Sequence, residues 1–242
     1  MKRQSLRKAL IISFLLMPVT LYYMSPALPI MGAAEGIIAG SAIVFALQLI
    51  TALVLGRGFC GWVCPAGGLQ EACFAAVDRR ARGGRWDWVK YLIWAPWMAI
   101  IAITAIRHVG PWHVDFLYQT TSGVSVMDAQ GYVIYFVVIG LIVVLSLATG
   151  RRGFCHYACW MAPFMVIGTA ARSFARWPAL HLRCDKSRCV ECKRCTRACP
   201  MSLDVDRMVR AESMDNLECI LCGTCADTCP TKVIHFSLRA GR

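Results

Sequence analysis

CVECKRCTRACP, residues 189–200, and CILCGTCADTCP, residues 219–230, decide the fold of the C-terminal part of this chain. Both stretches read C-x2-C-x2-C-x3-C-P, and the second repeats the first at an offset of 30 residues. Three evenly spaced cysteines on a tight loop can reach three corners of one iron–sulfur cube, and the fourth starts a short helix that points at a second cube. The proline that follows turns the chain away. The repeat therefore predicts two neighbouring cluster sites.

This order of cysteines is that of the bacterial ferredoxins, in which the fourth cysteine of each run binds the other cluster. Disulfides form poorly in a reducing cytoplasm, and zinc sites normally use C-x2-C pairs separated by a long spacer. We therefore predict two [4Fe–4S] clusters in a small α+β dicluster domain of the bacterial ferredoxin type over residues 184–242, after a linker at 176–183. The pattern assigns site I to Cys189, Cys192, Cys195 and Cys229, and site II to Cys219, Cys222, Cys225 and Cys199.

A second repeat lies upstream, in GRGFCGWVCP at 56–65 and GRRGFCHYACW at 150–160. Its two copies share Arg-Gly-Phe-Cys-x3-Cys at an offset of 95 residues. Residues four apart lie on one face of a helix, so each copy should present two thiols together. If the helices that carry them pack side by side, four thiols converge beside the positive charges of three arginines. These residues are Cys60, Cys64, Cys155 and Cys159, with Arg57, Arg151 and Arg152.

Three interpretations of these four cysteines stay open. They could bind a third iron–sulfur centre, since four thiolates suit such a cluster. They could instead form two redox-active dithiols that reduce a metal ion or a partner's disulfide. The third alternative is that they are packing residues at a close helix contact. The duplicated spacing favours the first two interpretations, and iron and sulfide analysis separates them. Cys73 and Cys184 receive no role.

Four apolar segments, at 9–28, 36–55, 88–106 and 131–149, have the length of about 20 residues that a bilayer requires. The chain as a whole is 57% hydrophobic, with a mean hydropathy of +0.53. Proline inside the first and third segments is tolerated in transmembrane helices. We therefore predict an α-helical membrane domain with four transmembrane helices over residues 1–175.

The basic residues are segregated along the chain. If both termini are cytoplasmic, 25 of the 26 lysines and arginines fall on that side, with Arg107 as the exception. The positive-inside rule then predicts a multi-pass protein of the inner (cytoplasmic) membrane whose termini and ferredoxin domain are cytoplasmic. The net charge of +12 is thus mainly a topology signal. No basic patch is interleaved with base-stacking aromatics, so we expect no nucleic-acid partner.

The chain resembles the membrane-anchored 4Fe–4S ferredoxins of the NapH/MauN type over nearly its full length, and it is similar to the related NosR and CcoG modules. The resemblance rests on the four apolar segments, the two C-x3-C motifs and the two ferredoxin runs. One departure is Trp160, which stands where the first copy has Pro65. The resemblance implies electron transfer between the membrane quinol/quinone pool and a partner redox protein or reductase subunit.

The sequence contains neither a G-x-G-x-x-G run after a strand nor a phosphate-binding P-loop. We therefore expect an electron-transfer subunit, similar to a quinol dehydrogenase, that serves an oxidoreductase system and is not a stand-alone enzyme. The alternative is an assembly or maturation factor that reduces a metal ion or a thiol during cofactor insertion.

Overall fold

The computed structural model describes residues 9–10, 12–175 and 178–240, except for the side chains of residues 239 and 240. The described residues up to 175 form a helical arm, and residues 178–240 form a small α+β domain. The first two residues of the predicted linker, 176 and 177, lie outside the described residues.

The predicted single helix over residues 9–28 is wrong. Short helical pieces replace it, because prolines interrupt the segment: Ser25, which precedes Pro26, is extended with ψ 134°, as a residue before proline prefers. The pieces in this part of the arm are a 3₁₀ turn at Phe14–Leu16, α1 at Met17–Thr20, a 3₁₀ turn at Tyr22–Met24 and α2 at Leu28–Glu35.

The second predicted span is also shorter than expected. Helix α3 covers Gly40–Leu55, which is 16 residues, and strand β1 at Ile37–Ala39 precedes it. Strand β1 pairs in parallel with β2 at His113–Asp115, in the loop between the third and fourth apolar segments. The hydrophobic run at 36–55 therefore contains a strand followed by a helix. Apolarity alone does not distinguish these two backbone conformations.

Two of the described helical stretches have the length and composition of a membrane span. One is Gly84–Arg107, in which a 3₁₀ turn leads into α6 at Val89–Arg107, and the other is α7 at Ala129–Thr149. Only 11% and 17% of their most apolar windows are buried inside the protein. Large apolar side chains such as Leu92 and Phe136 therefore face outwards. Four transmembrane helices are not confirmed.

The internal repeat of the arm is visible in its short helices. Helix α4 at Gly58–Trp62 corresponds to α8 at Gly153–Tyr157, each with five residues. Helix α5 at Pro65–Ala72 follows the first, and α9 at Ala162–Ala175 follows the second.

The two halves of the repeat pack crosswise. Helix α3 packs on α9, and α7 packs on α5, so each long helix contacts the helix that follows the other motif. A Cβ atom on Gly168 would lie 2.7 Å from the Cβ of Ala52, which shows how closely α9 approaches α3. The expectation that the two motif-bearing helices, α3 and α7, pack side by side is therefore wrong.

The C-terminal domain contains an antiparallel strand pair and short helices. Strand β3, Pro178–Cys184, pairs with β4, Ile234–Ala240, in the register Pro178 to Ala240. Most of the segment predicted as a linker is thus a strand, and its proline occupies the first position, where a strand tolerates it. Helices α10 and α12 pack on each other, and each contains the third cysteine of its run and ends directly before the fourth. The expectation that the fourth cysteine starts a helix is therefore wrong. The helices are α10 at Arg194–Ala198, α11 at Val205–Arg210 and α12 at Thr224–Thr228, with a 3₁₀ turn at Lys186–Arg188.

Candidate iron–sulfur sites

The two ferredoxin runs adopt the same backbone conformation. Three pairs of residues that lie 30 positions apart have a left-handed backbone conformation, although five of these six residues are not glycine. This conformation costs about 1–2 kcal/mol for such residues, so it persists where the surrounding structure requires it. Alternating conformations of this kind turn successive N–H groups into a concave nest, which is a known setting for iron–sulfur sites. The pairs are Glu191 (φ 51°) with Leu221 (49°), Lys193 (56°) with Gly223 (75°), and Ser202 (54°) with Lys232 (54°).

The fourth cysteine of each run receives hydrogen bonds from the backbone that follows it. Burial raises the pKa of the Cys199 thiol to about 11, and N–H groups of Leu203 and Met201 act against that rise. At Cys229, burial also raises the pKa, but the Thr231 hydroxyl and three backbone N–H groups lower it below 9.0 overall. Such donors stabilise a thiolate, which is the form that binds iron.

The cysteines of the two sites fit iron–sulfur clusters in their donor chemistry. All fourteen cysteines of the chain are free thiols. Burial raises the pKa of Cys219 to about 12 and that of Cys225 further, so these thiols hold their protons unless a metal replaces them. Among the described residues, no three His, Cys, Asp or Glu side chains form a group that could hold a single metal ion.

The four cysteines of the arm, which we call the thiol set, are brought together. Each is at most 6% exposed, and the thiols of Cys64 and Cys159 each interact electrostatically with both Cys60 and Cys155. The four thiols are therefore near enough to interact electrostatically in the interior of the arm, and their convergence on one shared centre stays a prediction.

The C-x3-C motifs are not continuous helices. Helix α4 ends at Trp62, and Cys64 is extended, with ψ 117°, because Pro65 follows it. The Cys64 N–H donates to the carbonyl of Phe59 at 3.0 Å, and the Cys159 N–H donates to that of Phe154 at 2.9 Å. The expectation that both cysteines of a motif share one helical face is wrong. The second cysteine of each motif lies beyond the short helix, in a turn that this hydrogen bond closes.

Two buried arginines accompany the thiol set. Arg57 pairs with Glu218, and Arg152 pairs with Glu71 and donates to the Cys60 carbonyl at 2.7 Å; both arginines are 0% exposed. Burial alone would lower the pKa of Arg57, but the Glu218 carboxylate and the Cys60 and Cys155 thiols raise it. Both side chains thus remain cations next to groups that become anionic when they bind metal.

Arg151 does not accompany the thiol set in this way. It forms a salt bridge with Asp78 and donates to the carbonyls of Arg197 and Cys199, the latter at 3.3 Å. The prediction that Arg151 offsets the charge of the thiol set is therefore wrong. In the second motif Arg152 is the arginine that turns into the interior, whereas Arg151 contacts the ferredoxin domain beside Cys199 of site II.

Gln70 is a site residue that the sequence motifs did not reveal. Its amide donates to the Cys155 Sγ at 3.1 Å, and its carbonyl oxygen accepts from the Cys155 N–H at 3.3 Å. Hydrogen bonds to sulfur tune the potentials of iron–sulfur centres. Gln70 is a polar residue in helix α5, whose residues are mainly small and apolar, and this was the one sequence feature that set it apart. Nothing in the local sequence indicated that it contacts a cysteine 85 positions away.

The ferredoxin domain docks on the arm at α4, the helix that carries Cys60. Trp62 Nε1 donates to the Leu221 carbonyl at 3.0 Å, and a Cβ on Gly61 would lie 2.3 Å from the Ile220 carbonyl oxygen. Glu218 pairs with both Arg57 and Lys90, the latter at 2.6 Å. The contacts place the Cys219–Cys222 loop of site II against the thiol set's helix.

Two further cysteines remain apart from these sites. Cys73 begins a 3₁₀ turn after α5 and is partly exposed. Cys184 ends β3, with its Sγ 3.9 Å from the Val209 carbonyl oxygen. Cys184 lies near enough to Cys189 for the two thiols to interact electrostatically, but it belongs to neither ferredoxin run.

A dicluster ferredoxin fold joined to an apolar helical arm defines an iron–sulfur protein. Residues 188–234 match the family described as "4Fe-4S dicluster domain". Residues 37–82 and 130–174, which contain the two C-x3-C motifs, each match the family described as "4Fe-4S binding domain". The chain's relatives include the ferredoxin-type protein NapH and the nitrogen fixation protein FixG, which confirms the predicted resemblance to the NapH-type 4Fe–4S ferredoxins.

Its relatives are distant and longer. The chain is 27% identical over 196 residues to the uncharacterized protein MJ0749 of Methanocaldococcus jannaschii, covering 79% of this chain and 68% of that protein. It is 24% identical over 221 residues to the putative electron transport protein YccM of Escherichia coli, covering 86% and 58%. It is 27% identical over 216 residues to the ferredoxin-type protein NapH of Haemophilus influenzae, covering 83% and 68%. No solved structure matches the chain.

Proposed function

We propose that this chain is a membrane-bound electron-transfer protein that passes electrons between the quinol pool and a partner redox protein. The family and the electron-transport designation of YccM support an iron–sulfur electron carrier. The single observation that carries the finer proposal is the continuous buried core that joins Cys60 and Cys155 to Cys199, Cys222 and Cys225 of site II.

Sites I and II would each hold one [4Fe–4S] cluster, which supplies one-electron transfer when bound. The chain's own residues bury the site II thiols, direct backbone N–H groups at Cys199 and Cys229, and hold the site II loop on the arm through Glu218. Site II therefore shares one packed interior with Cys60 and Cys155 of the thiol set, whereas Cys64 and Cys159 belong to the neighbouring core cluster.

An apolar groove supports a quinol as the electron donor, or a quinone as the electron acceptor, on the membrane side. It is lined by residues 17–26 and by side chains of α7, and it reaches Ala66, Phe154 and Trp160 beside the cysteines of both motifs. A mostly apolar site with few polar groups suits a ring that carries a prenyl tail. Val138 lines the groove, whereas the neighbouring Val137 is 65% exposed and is not part of its lining.

We further propose that the thiol set binds a third iron–sulfur centre. Four buried thiols, two buried arginines and the Gln70 amide provide ligands, charge compensation and a hydrogen bond to sulfur. Iron well above about eight atoms per chain, with both ferredoxin signals intact, is the expected result. Iron at about eight would leave the dithiol interpretation in place.

The experiment on function is reduction of the anaerobically purified protein in lipid nanodiscs by a short-chain quinol, followed by EPR. Val138→Trp should abolish quinol-driven reduction but leave dithionite-driven reduction intact, because the indole fills the groove without touching a cysteine. Val137→Trp on the same helix is the matched control and should behave as wild type. Clusters that dithionite reduces and no quinol reduces would refute the quinol proposal.

A further inference from the structure

The two ferredoxin runs differ sharply in burial. In the second run Ile220, Leu221 and Ala226 are 1–4% exposed, because this run faces the arm. In the first run Val190, at the position that matches Ile220, is 61% exposed, and Lys193 and Arg194 are also exposed. Site I is therefore the site whose cysteine loop reaches the surface.

The charge of the two runs differs as well. Residues 186–197 contain five lysines and arginines and one glutamate, whereas the matching residues 216–227 contain no lysine or arginine and two acids. All five cations of residues 186–197 are exposed, and we call them the basic face: Lys186, Arg188, Lys193, Arg194 and Arg197. Two of them are engaged locally, Arg188 with Asp185 and Arg197 with the Cys192 carbonyl.

The basic face begins where β3 leads away from the arm. Near its start, the strand contacts the arm, where the Leu180 carbonyl accepts from Arg172 at 2.8 Å. The strand then runs to Cys184, two residues before Lys186. Seven residues of strand span about 20 Å, so Lys186 lies beyond the end of β3 that is far from the Arg172 contact, whereas the Arg197 carbonyl at the other end of the basic face accepts from Arg151 of the arm.

We propose that the basic face is the docking surface for an acidic redox protein, so that site I is the outer site and site II the inner one. This inference rests on the proposed function, because it requires a partner that exchanges electrons with the ferredoxin domain. Positive charge around an exposed electron-transfer site attracts a negatively charged partner and raises its association rate. The second run lacks such charge because its partner is the arm of the same chain.

The test uses the full-length protein in nanodiscs, reduced with dithionite that is then removed. Two small cobalt(III) complexes serve as probes: the anionic EDTA complex and the cationic tris-phenanthroline complex. Oxidation removes one electron from a reduced [4Fe–4S] cluster and converts Co(III) to Co(II), with no proton transferred. The anion should oxidise wild type faster as salt is lowered, and Lys193→Glu/Arg194→Glu should slow the anion about tenfold at low salt and less than twofold at 0.5 M.

A matched variant controls for net charge. Arg85→Glu/Arg207→Glu makes the same change of charge at two exposed residues outside the ferredoxin runs and should leave the anion rate within about twofold. A readout independent of turnover is EPR: anionic chromium(III) oxalate should broaden the site I signal, identified by its loss in Cys192→Ser, more than that of site II. The Lys193→Glu/Arg194→Glu variant should lose this preference.

Three outcomes would overturn the inference. Equal rates for anion and cation in wild type, or equal slowing in both charge variants, would show that the basic face does not steer a partner. An anion preference that disappears when the nanodiscs contain anionic lipid would show that the face lies on the membrane surface. These results would leave the proposed function standing, whereas a protein that holds no clusters would overturn both.

Discussion

Replacing Glu218 with glutamine should loosen the ferredoxin domain from the arm. The Glu218 carboxylate pairs with two cations that are themselves fully buried, Arg57 and Lys90. Burial raises the pKa of Glu218, but the two cations lower it to about 2, below the 4.5 of a free carboxyl. That difference corresponds to about 3 kcal/mol of stabilisation, in the range for removing one partner of a buried ion pair.

The sign of the pH dependence follows from the lowered pKa. The stabilisation is complete above a pH of about 4.5 and is lost as the pH falls towards 2, so at pH 7 the wild type has all of it. The isosteric Glu218→Gln leaves two buried cations without a counter-charge at every pH. Most of the loss is the cost of those uncompensated charges.

Hydrogen exchange at pH 7 measures this loss directly. Amides at 58–62 and 219–223, which undocking exposes, should exchange about 150-fold faster in the variant, since each 1.36 kcal/mol is a factor of ten. The control is Asp204→Asn, which removes the exposed pair with Arg80 between the same two parts, with side chains 65% and 41% exposed. An exposed pair contributes less than about 1 kcal/mol, so the control should change exchange less than about fivefold. Equal exchange in Glu218→Gln and wild type would refute the docking role.

Four further predictions concern the sites and the topology. Gly61→Ala should disturb the docking of site II, because its Cβ would lie 2.3 Å from a backbone carbonyl oxygen. The rate of quinol-driven reduction should then fall at least about tenfold. The control Gly58→Ala, whose Cβ would have its nearest contact at 3.7 Å, should be tolerated. Cys192→Ser should remove the EPR signal of one cluster and Cys222→Ser that of the other, and loss of both signals or neither would contradict the assignment. Serine at any member of the thiol set should reduce quinol-driven reduction to about the same extent, as for residues that act as a unit, and a loss confined to one motif would contradict a shared centre. Reporter fusions within residues 108–130 should report the outside and fusions at the C-terminus the inside, and an external C-terminus would refute the predicted orientation.

Local sequence patterns predicted much of the chemistry and part of the fold. The C-x2-C-x2-C-x3-C-P runs predicted the ferredoxin fold, because their spacing is itself the geometry of a cluster-binding loop. The apolar runs located α6 and α7 to within a few residues. They failed at 9–28, where prolines break the helix, and at 36–39, where a turn at Gly36 and a strand precede α3. Apolarity reports burial in protein or lipid but does not distinguish one backbone conformation from another.

By itself, the sequence determined which cysteines belong together within each run, because covalent spacing sets what a short loop can reach. Only the tertiary structure decided that α3 packs on α9 and α7 on α5, that Gln70 contacts Cys155, and that Glu218 joins Arg57 across 161 positions. It also decided which of two runs with the same cysteine spacing faces the arm and which faces the surface. These outcomes depend on the packing of segments far apart in the chain. A local sequence pattern contains no information about which distant segment will pack against it.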